Sequence, residues 1–356
     1  MPVRGIRGKI ILVANHSNID VWQFIAEKYA ARIPVMLLYV LQSEGSSPGR
    51  QGFKMAVAAD HNFCGTIGGG IMEHKFVEMA KSFLQEDKAE QEIYRQVHDK
   101  SAGKNQSGMI CSGEQTIFIY RIQPNDITAI HSLIDSAKAF RNGTLQLSNA
   151  GILFSDEFPA DHFLFTQQGK DFLLCEKTGF KNTLHIIGGG HCALALSKLM
   201  GDMDFYIKVY EERTELNTLM QNVYAHKKIM VDSYTELVSL IESSADSFVV
   251  IMSFGYRTDD LALRALINKE FKYIGVLGSS KKMEKLFEEY RAQHIAEELL
   301  RKIHTPIGIQ IKSKTATEIA VSIAAEIISV KNEAPAAGGA ARGTRRKREK
   351  RGLRHQ

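Results

Sequence analysis

The chain has 356 residues, 44% hydrophobic and 24% charged, the balance of a soluble globular protein with room for two domains. No apolar run is long enough to span a bilayer, and the apolar stretch after Lys9 is too short for a signal-peptide core, so a cytoplasmic location without a membrane partner is expected. The formal charge of +5 is concentrated: from Asn332 onward eight Lys/Arg face two Asp/Glu, which leaves the body close to neutral and without a nucleic-acid footprint.

Residues 1–18 show little amphipathic pattern and read as a poorly ordered arm. Asp20 is placed to cap a helix running to about Ala31, with Trp22, Ile25, Ala26 and Tyr29 on one face. Pro34 ends it, and Val35 to Leu41 is a strongly apolar strand. Ser43 to Met55 is crowded with Gly, Ser and Pro and reads as a loop. Its backbone N–H groups, two hydroxyls (Ser46, Ser47) and two cations suit an anionic ligand, with Gly45 and Gly52 in the same stretch. A solvated surface loop is the other reading. Met55–Ala59 and Phe63–Ile67 form a hairpin that runs into Gly68-Gly69-Gly70 and a helix over 71–84. A triple glycine at a helix start either leaves N–H donors open for an anion or is merely a flexible turn.

The stretch from Glu86 to Lys104 is charged and is not expected in the core. Cys111-Ser112-Gly113-Glu114 then leads into a strand from Gln115 to Arg121. Cys111 is either an exposed functional thiol or a small buried hydrophobe. Asp126 is placed to cap a helix to Phe140, and short strands and turns fill 143–176. The four cysteines, Cys64, Cys111, Cys175 and Cys192, contain no C-x-x-C pair, so neither a zinc knuckle nor a disulfide framework is expected.

From Leu184 the pattern is strand, Gly188-x-Gly190-x-x-Ala193, helix, then a second strand ending at Glu211, Glu212 and Arg213. Gly188 permits a sharp turn, Gly190 lets a pyrophosphate come close, and small Ala193 lets helix and strand pack. The helix N–H groups beyond His191 would face the phosphates, and the acid at Glu211 stands where a ribose needs one. Strand-helix alternation continues through 228–231, 248–252, 258–268 and 273–277, then Gly278 to Lys282 opens another helix. Thr315 caps a last amphipathic helix to about Val330. The fold class is α/β, an N-terminal α/β domain over 19–178 followed by a Rossmann-like doubly wound parallel sheet over 179–331. The Ala/Gly-rich and then basic stretch at 332–356 reads as a disordered tail.

Together these pieces resemble the xanthine dehydrogenase accessory factor family, XdhC/CoxI-like. The resemblance spans about Asp20 to Val330. It is carried by Gly45-Ser46-Ser47-Pro48 through Gly52, by Gly68-Gly69-Gly70 with Glu73, and by Cys111-Ser112-Gly113-Glu114. In the second half it is carried by Gly188 to His191, Glu211 to Arg213, Tyr273 to Ser279 and His304-Thr305-Pro306-Ile307-Gly308. It implies a chaperone-like factor, often a homodimer, that binds molybdenum cofactor (molybdopterin). Such a factor shelters the cofactor during sulfuration by a cysteine desulfurase and helps insert it into a molybdenum hydroxylase such as xanthine dehydrogenase. Cys111 falls on the cysteine of the family's C-G-G motif, which makes it the candidate metal-contacting thiol, although Ser112 replaces the first glycine. Ile71 stands where many relatives carry a cysteine, and Phe254 where many carry a histidine. The resemblance therefore implies neither a two-cysteine nor a histidine-dependent chemistry here.

A competing reading is an NAD(P)-dependent oxidoreductase built on the Rossmann half. No clear Tyr-x-x-x-Lys pair and no dehydrogenase-like histidine placed by spacing supplies its proton transfer. The Arg345–Arg348 run could grip phosphates of a nucleic acid, but such runs are more often solvated tails.

Overall fold

The computed structural model describes residues 19–86, 91–97, 113–157 and 161–333. In chain order its first part is α1 (Asp20–Ala30), β1 (Val35–Gly45), β2 (Lys54–Ala58), β3 (Phe63–Gly65), α2 (Gly70–Glu86), β4 (Gln91–Val97), β5 (Gly113–Arg121) and α3 (Asp126–Lys138). A second group follows with β6 (Gly143–Ser148), β7 (Gly151–Ser155), β8 (Phe163–Gln168) and β9 (Asp171–Thr178). These strands build two antiparallel sheets, β3-β2-β1-β5-β4 and β7-β6-β9-β8. β1 is buried from Val35 to Leu41 because it packs on both faces. Met36, Leu38 and Val40 meet Phe76 and Val77 of α2, while Leu37, Tyr39 and Leu41 join Trp22, Ile25 and Ile130 on the other side. Strict alternation of these side chains across the pleat feeds two cores from one strand.

The remainder is β10 (Asn182–Ile187), α4 (His191–Gly201), β11 (Phe205–Glu211), α5 (Asn217–Gln221), β12 (Lys227–Met230), α6 (Leu237–Leu240), β13 (Ser244–Ile251), α7 (Tyr256–Leu266), β14 (Phe271–Val276), α8 (Ser280–Ala292), α9 (Glu297–Arg301), β15 (Ile303–His304) and α10 (Ala316–Asn332). Its sheet runs β12-β11-β10-β13-β14-β15 with every pairing parallel. Counted within this half, that is the 3-2-1-4-5-6 order of doubly wound dinucleotide folds. Cores lie on both faces, one under α4 and α10, the other under α7 and α8. Phe180 and Phe140 meet Tyr206 and His226 where the two halves join, with Phe180 4.6 Å from His226 and 6.2 Å from Phe140 between ring centroids. Lys177 adds an ion pair to Asp246 at 3.2 Å.

Several expectations are corrected. Asp20 is the first helical residue and Ile19 occupies the cap position without a side-chain bond. Asp126 likewise follows the cap, Asn125. Its buried carboxylate instead accepts from the Tyr120 hydroxyl (2.8 Å), Gln123 N–H (2.7 Å) and Ile152 N–H (2.9 Å), fastening α3 to both sheets. The charged stretch after Glu86 contains β4, an edge strand that pairs with β5 and buries Gln96. An edge strand is held by ladder hydrogen bonds and needs no continuous apolar face, so its polar sequence conceals it. β1 extends to Gly45, beyond the expected end at Leu41. Thr315 does cap α10, and its capping box with Glu318 is complete. The expected arm at 1–18 and the tail from 334 lie outside the described residues.

Candidate functional site

The first group of candidate residues gathers at one end of the five-stranded sheet. β1 ends opposite β5 in the register Gly45↔Gly113. The chain then turns through Ser46, Ser47, Pro48 and Gly49. Ser47 is buried and its hydroxyl donates to Gly49 O at 3.0 Å, while the Ser46 side of the turn is exposed. Arg50 closes the turn by donating to Gly45 O at 2.9 Å. Gln115, fully buried at the start of β5, donates its amide to Gly49 O (2.9 Å) and to Ile67 O (3.2 Å). One side chain thus clasps the 45–52 turn to the 66–70 turn.

Glycine is required at these contacts. A Cβ on Gly49 would lie 2.1 Å from Ile67 O, one on Gly68 2.5 Å from Gly49 N, and one on Gly113 2.6 Å from Ser47 N. Gly52 (φ +89°) lies against the Phe163 ring. Gly69 differs, since a Cβ there would meet nothing within 4 Å.

The open anion site expected at Gly68-Gly69-Gly70 is filled from within. Glu73 Oε2 accepts from Ile67 N–H (2.9 Å), Gly69 N–H (3.0 Å) and the Thr66 hydroxyl (2.5 Å). Gly68 N–H is taken by Thr66 Oγ1 at 3.1 Å. Glu73 sits in the first turn of α2, which begins at Gly70, and reaches back to N–H groups of the kind a helix start leaves unpaired. It is therefore a structural anion in the turn. Cys111 and Ser112 lie outside the described residues. Among the described residues no cluster of three or more His, Cys, Asp or Glu could hold a metal ion.

A second polar feature, silent in the sequence, lies beside this group. Glu176 on β9 is buried and accepts from the Tyr39 hydroxyl in a short bond, with Lys54 at 3.4 Å and Lys181 at 3.5 Å. Burial pushes the Glu176 carboxyl up, but the two ammonium groups outweigh it and hold it below the usual range. Burial raises the Tyr39 phenol, and Glu176 raises it further. The adjoining cavity, lined by Trp22, Lys54, Phe140, Glu176 and Lys181, measures about 40 Å³. That is room for a water molecule and not for an organic cofactor.

The second group lies at the carboxyl ends of the parallel strands, where the order reverses between β10 and β13. Gly188 (φ +106°) turns there, and a Cβ on it would lie 2.5 Å from Met252 O, so this glycine is demanded by the fold. Gly190 precedes α4 with no side-chain cap, and a Cβ there would meet nothing within 4 Å. The space over Gly190 is open to a ligand, and His191 follows it, exposed, as the first helical residue.

Glu211 departs from its expected role. It is 0% exposed, and its oxygens accept from Gly189 N–H (2.7 Å), Glu212 N–H (3.0 Å) and Arg213 N–H (3.1 Å). Arg213 adds Nε at 2.9 Å and Nη2 at 2.8 Å. A carboxylate offers about four lone-pair directions, so these bonds leave none for a ribose hydroxyl. Burial raises the Glu211 carboxyl, but the Arg213 and backbone bonds prevail and hold it below the usual range. Arg213 in turn stacks over Phe254, 4.7 Å from the ring centroid. Nearby, Ser253 and Lys282 both hold Asp259, at 2.5 Å and 2.6 Å. Among the described residues no hydrogen bond or ion pair links the first group to the second.

Comparison with known proteins follows the same division. A profile of the XdhC and CoxI family matches residues 29–95, and a profile of the XdhC Rossmann domain matches residues 184–327. An Escherichia coli K12 protein, the uncharacterized YqeB, is 26% identical over 306 residues, covering 85% of this chain and 44% of its own length. A Bacillus subtilis protein named as a probable xanthine dehydrogenase subunit is 24% identical over 153 residues, covering 42% of this chain and 43% of its own length. The chain thus spans less than half the length of these two curated relatives. A solved Bacillus halodurans protein, titled a xanthine dehydrogenase, superposes with a TM-score of 0.66 at 21% identity over 91% of this chain and 98% of its own, a likeness of fold.

Proposed function

We propose that this chain, which belongs to the XdhC and CoxI family, is an accessory factor for a molybdenum hydroxylase of the xanthine dehydrogenase kind. The relative named as a probable xanthine dehydrogenase subunit supports the choice of enzyme. The observation that carries the reading is the Gln115 clasp, which brings two family motifs to one end of one sheet, beside the start of the strand that follows the third.

The residues there suit an anionic, sulfur-rich cofactor. Molybdenum cofactor would supply a phosphate, a dithiolene and an oxo-metal centre. The Arg50 guanidinium and the exposed Ser46 turn would meet its anionic part, and the space over Gly69 would allow close approach. Glu73 keeps the 66–70 turn in shape for that contact. Cys111, two residues ahead of Gly113 in sequence, would supply a thiolate, a soft ligand suited to a metal or sulfur centre. In this reading the factor works as a homodimer in the cytoplasm, takes sulfur from a cysteine desulfurase, and delivers the cofactor without catalysing a turnover of its own.

The test is Cys111→Ser, which nearly conserves volume. Purified with cofactor supplied, the variant should keep its thermal midpoint, lose bound molybdenum, and fail to activate the partner hydroxylase. A folded variant that retains molybdenum and activates the partner at the wild-type rate would remove the thiol from the proposal. If wild type neither binds the cofactor nor raises hydroxylase activity, the accessory role itself fails.

A further inference from the structure

Glu211 stands at the end of the second strand of the Rossmann half, the position from which an acid reads the two hydroxyls of an adenosine ribose. Here it cannot do so, because every acceptor direction is used inside the protein. What the carboxylate does instead is hold a cation. The Nε and Nη2 edge of Arg213 is fixed on Glu211, one face of the guanidinium rests on Phe254, and Nη1 has no partner among the described residues. The Arg213 side chain is 40% exposed, so that free edge reaches solvent. Thr214 follows it and is exposed.

The neighbouring acid does not compete for that edge. Glu212 turns to Tyr234 and accepts its N–H at 2.9 Å. At the other end of the crevice, the open space over Gly190 and the uncapped start of α4 suit a pyrophosphate. The two features lie on adjacent parallel strands, β10 and β11, whose ends are paired as Ile187↔Tyr210. A dinucleotide laid across them would place the 2′ position of its adenosine at Arg213.

We propose that this crevice takes a dinucleotide bearing a 2′-phosphate, the NADP class, and discriminates against NAD. Arg213 Nη1 and the Thr214 hydroxyl bind the phosphate monoester, and the guanidinium stacks on the adenine. A nucleotide with a free 2′-hydroxyl finds no carboxylate to accept from it, while one with a 2′-phosphate gains a charge-assisted contact. One such contact corresponds to about a tenfold preference. The inference does not depend on the delivery of molybdenum cofactor, which is read by partner activation and not by nucleotide affinity.

Titration calorimetry on the full chain tests it, with NADP+ and NAD+ as separate ligands. NADP+ should bind about tenfold or more tightly than NAD+. Arg213→Gln should abolish the preference, but it also strips Glu211 of its ion partner and can disturb folding. Thr214→Asp is the safer variant, because it leaves the Glu211–Arg213 pair untouched and sets a carboxylate against the phosphate. It should keep the wild-type thermal midpoint and collapse the NADP+/NAD+ affinity ratio to near one. Equal or tighter binding of NAD+ to wild type, no binding of either nucleotide, or a ratio that survives Thr214→Asp would each overturn the proposal.

Discussion

The Gln115 amide reaches across the sheet edge to the carbonyl of Gly49 at 2.9 Å and simultaneously serves the carbonyl of Ile67. Both carbonyls belong to turns packed so closely that a Cβ on Gly49 would lie 2.1 Å from Ile67 O and one on Gly68 2.5 Å from Gly49 N. Gln115→Met keeps the volume and removes the donor. Ile67 O then loses this donor and Gly49 O keeps only the Ser47 hydroxyl, at about 1–3 kcal/mol for a buried group left unpaired. The expected result, read by urea unfolding, is a stability lowered by about 1–3 kcal/mol, together with weaker cofactor retention. An unchanged midpoint would mean that water replaces the amide and that the turns are held by other contacts.

Two glycines that look alike in sequence should behave oppositely. Gly49→Ala sets a Cβ 2.1 Å from Ile67 O, a backbone atom that cannot swing aside, so the 45–52 and 66–70 turns must separate. Stability should fall and cofactor retention with it. Gly190→Leu projects into open space from a backbone at φ −73°, which any residue adopts. Its thermal midpoint should match wild type while nucleotide binding disappears. Retained nucleotide affinity in Gly190→Leu would show that no ligand approaches α4 from that side.

Much of this architecture is legible in the sequence because it is written locally. Gly188, Gly190 and Ala193 announce a strand-turn-helix, and Thr315 with Glu318 announces a helix start, since each pattern depends only on residues a few positions apart. The role of Glu211 is not legible. Its identity and place are clear, but whether its oxygens face a ribose depends on where the Arg213 side chain and the Gly189 N–H point, and only the folded turn decides that. Glu73 misleads in the same way, as an expected contributor to an anion site that turns out to be the anion. Gln115 carries only a faint signal. It shares one face of β5 with Ile117 and Ile119, so a polar group at that register has to be buried and paired. β4 carries little, because only Ile93 and Tyr94 among its described side chains pack against the apolar cores and pairing with β5 holds the rest.

Emptying the turn around Gly69 should expose the anion site that Glu73 conceals. Glu73→Ala removes the acceptor for Ile67 N–H, Gly69 N–H and the Thr66 hydroxyl together. These are charge-assisted bonds, about twice as strong as neutral ones, so a clear loss of thermal stability is expected in chloride buffer. Phosphate or acetate at equal ionic strength should restore part of that loss in the variant and do little for wild type. Equal response of the two proteins to the added anion would show that the turn collapses once its carboxylate is gone.

His185 makes the stability of the parallel sheet depend on pH well above the carboxylate range. It lies buried on β10, with Nδ1 2.9 Å from the Tyr210 hydroxyl and Nε2 3.5 Å from the Ser247 hydroxyl. Burial, and then the charge of Lys208, lower its pKa to about 3. The sign follows from which state takes up the proton first. The unfolded imidazole protonates as pH falls through about 6.5, while the folded one stays neutral until far lower, so acid favours the unfolded chain. Stability should decline by about 1.4 kcal/mol per pH unit below that point, or about 2 kcal/mol by pH 5. His162 is also depressed, by burial and then by Lys181, and contributes in the same direction. The carboxyls of Glu211, Glu176 and Glu326 are all held low, so their stabilising contributions are lost only at more acidic pH. Urea unfolding of wild type and His185→Gln at pH 7 and pH 5 isolates the histidine. Gln can meet both hydroxyls and does not titrate, so the variant should lose about 2 kcal/mol less than wild type between the two conditions. Identical losses would mean that His185 is protonated in the folded protein at pH 5, with the Tyr210 and Ser247 hydroxyls accepting from both ring nitrogens.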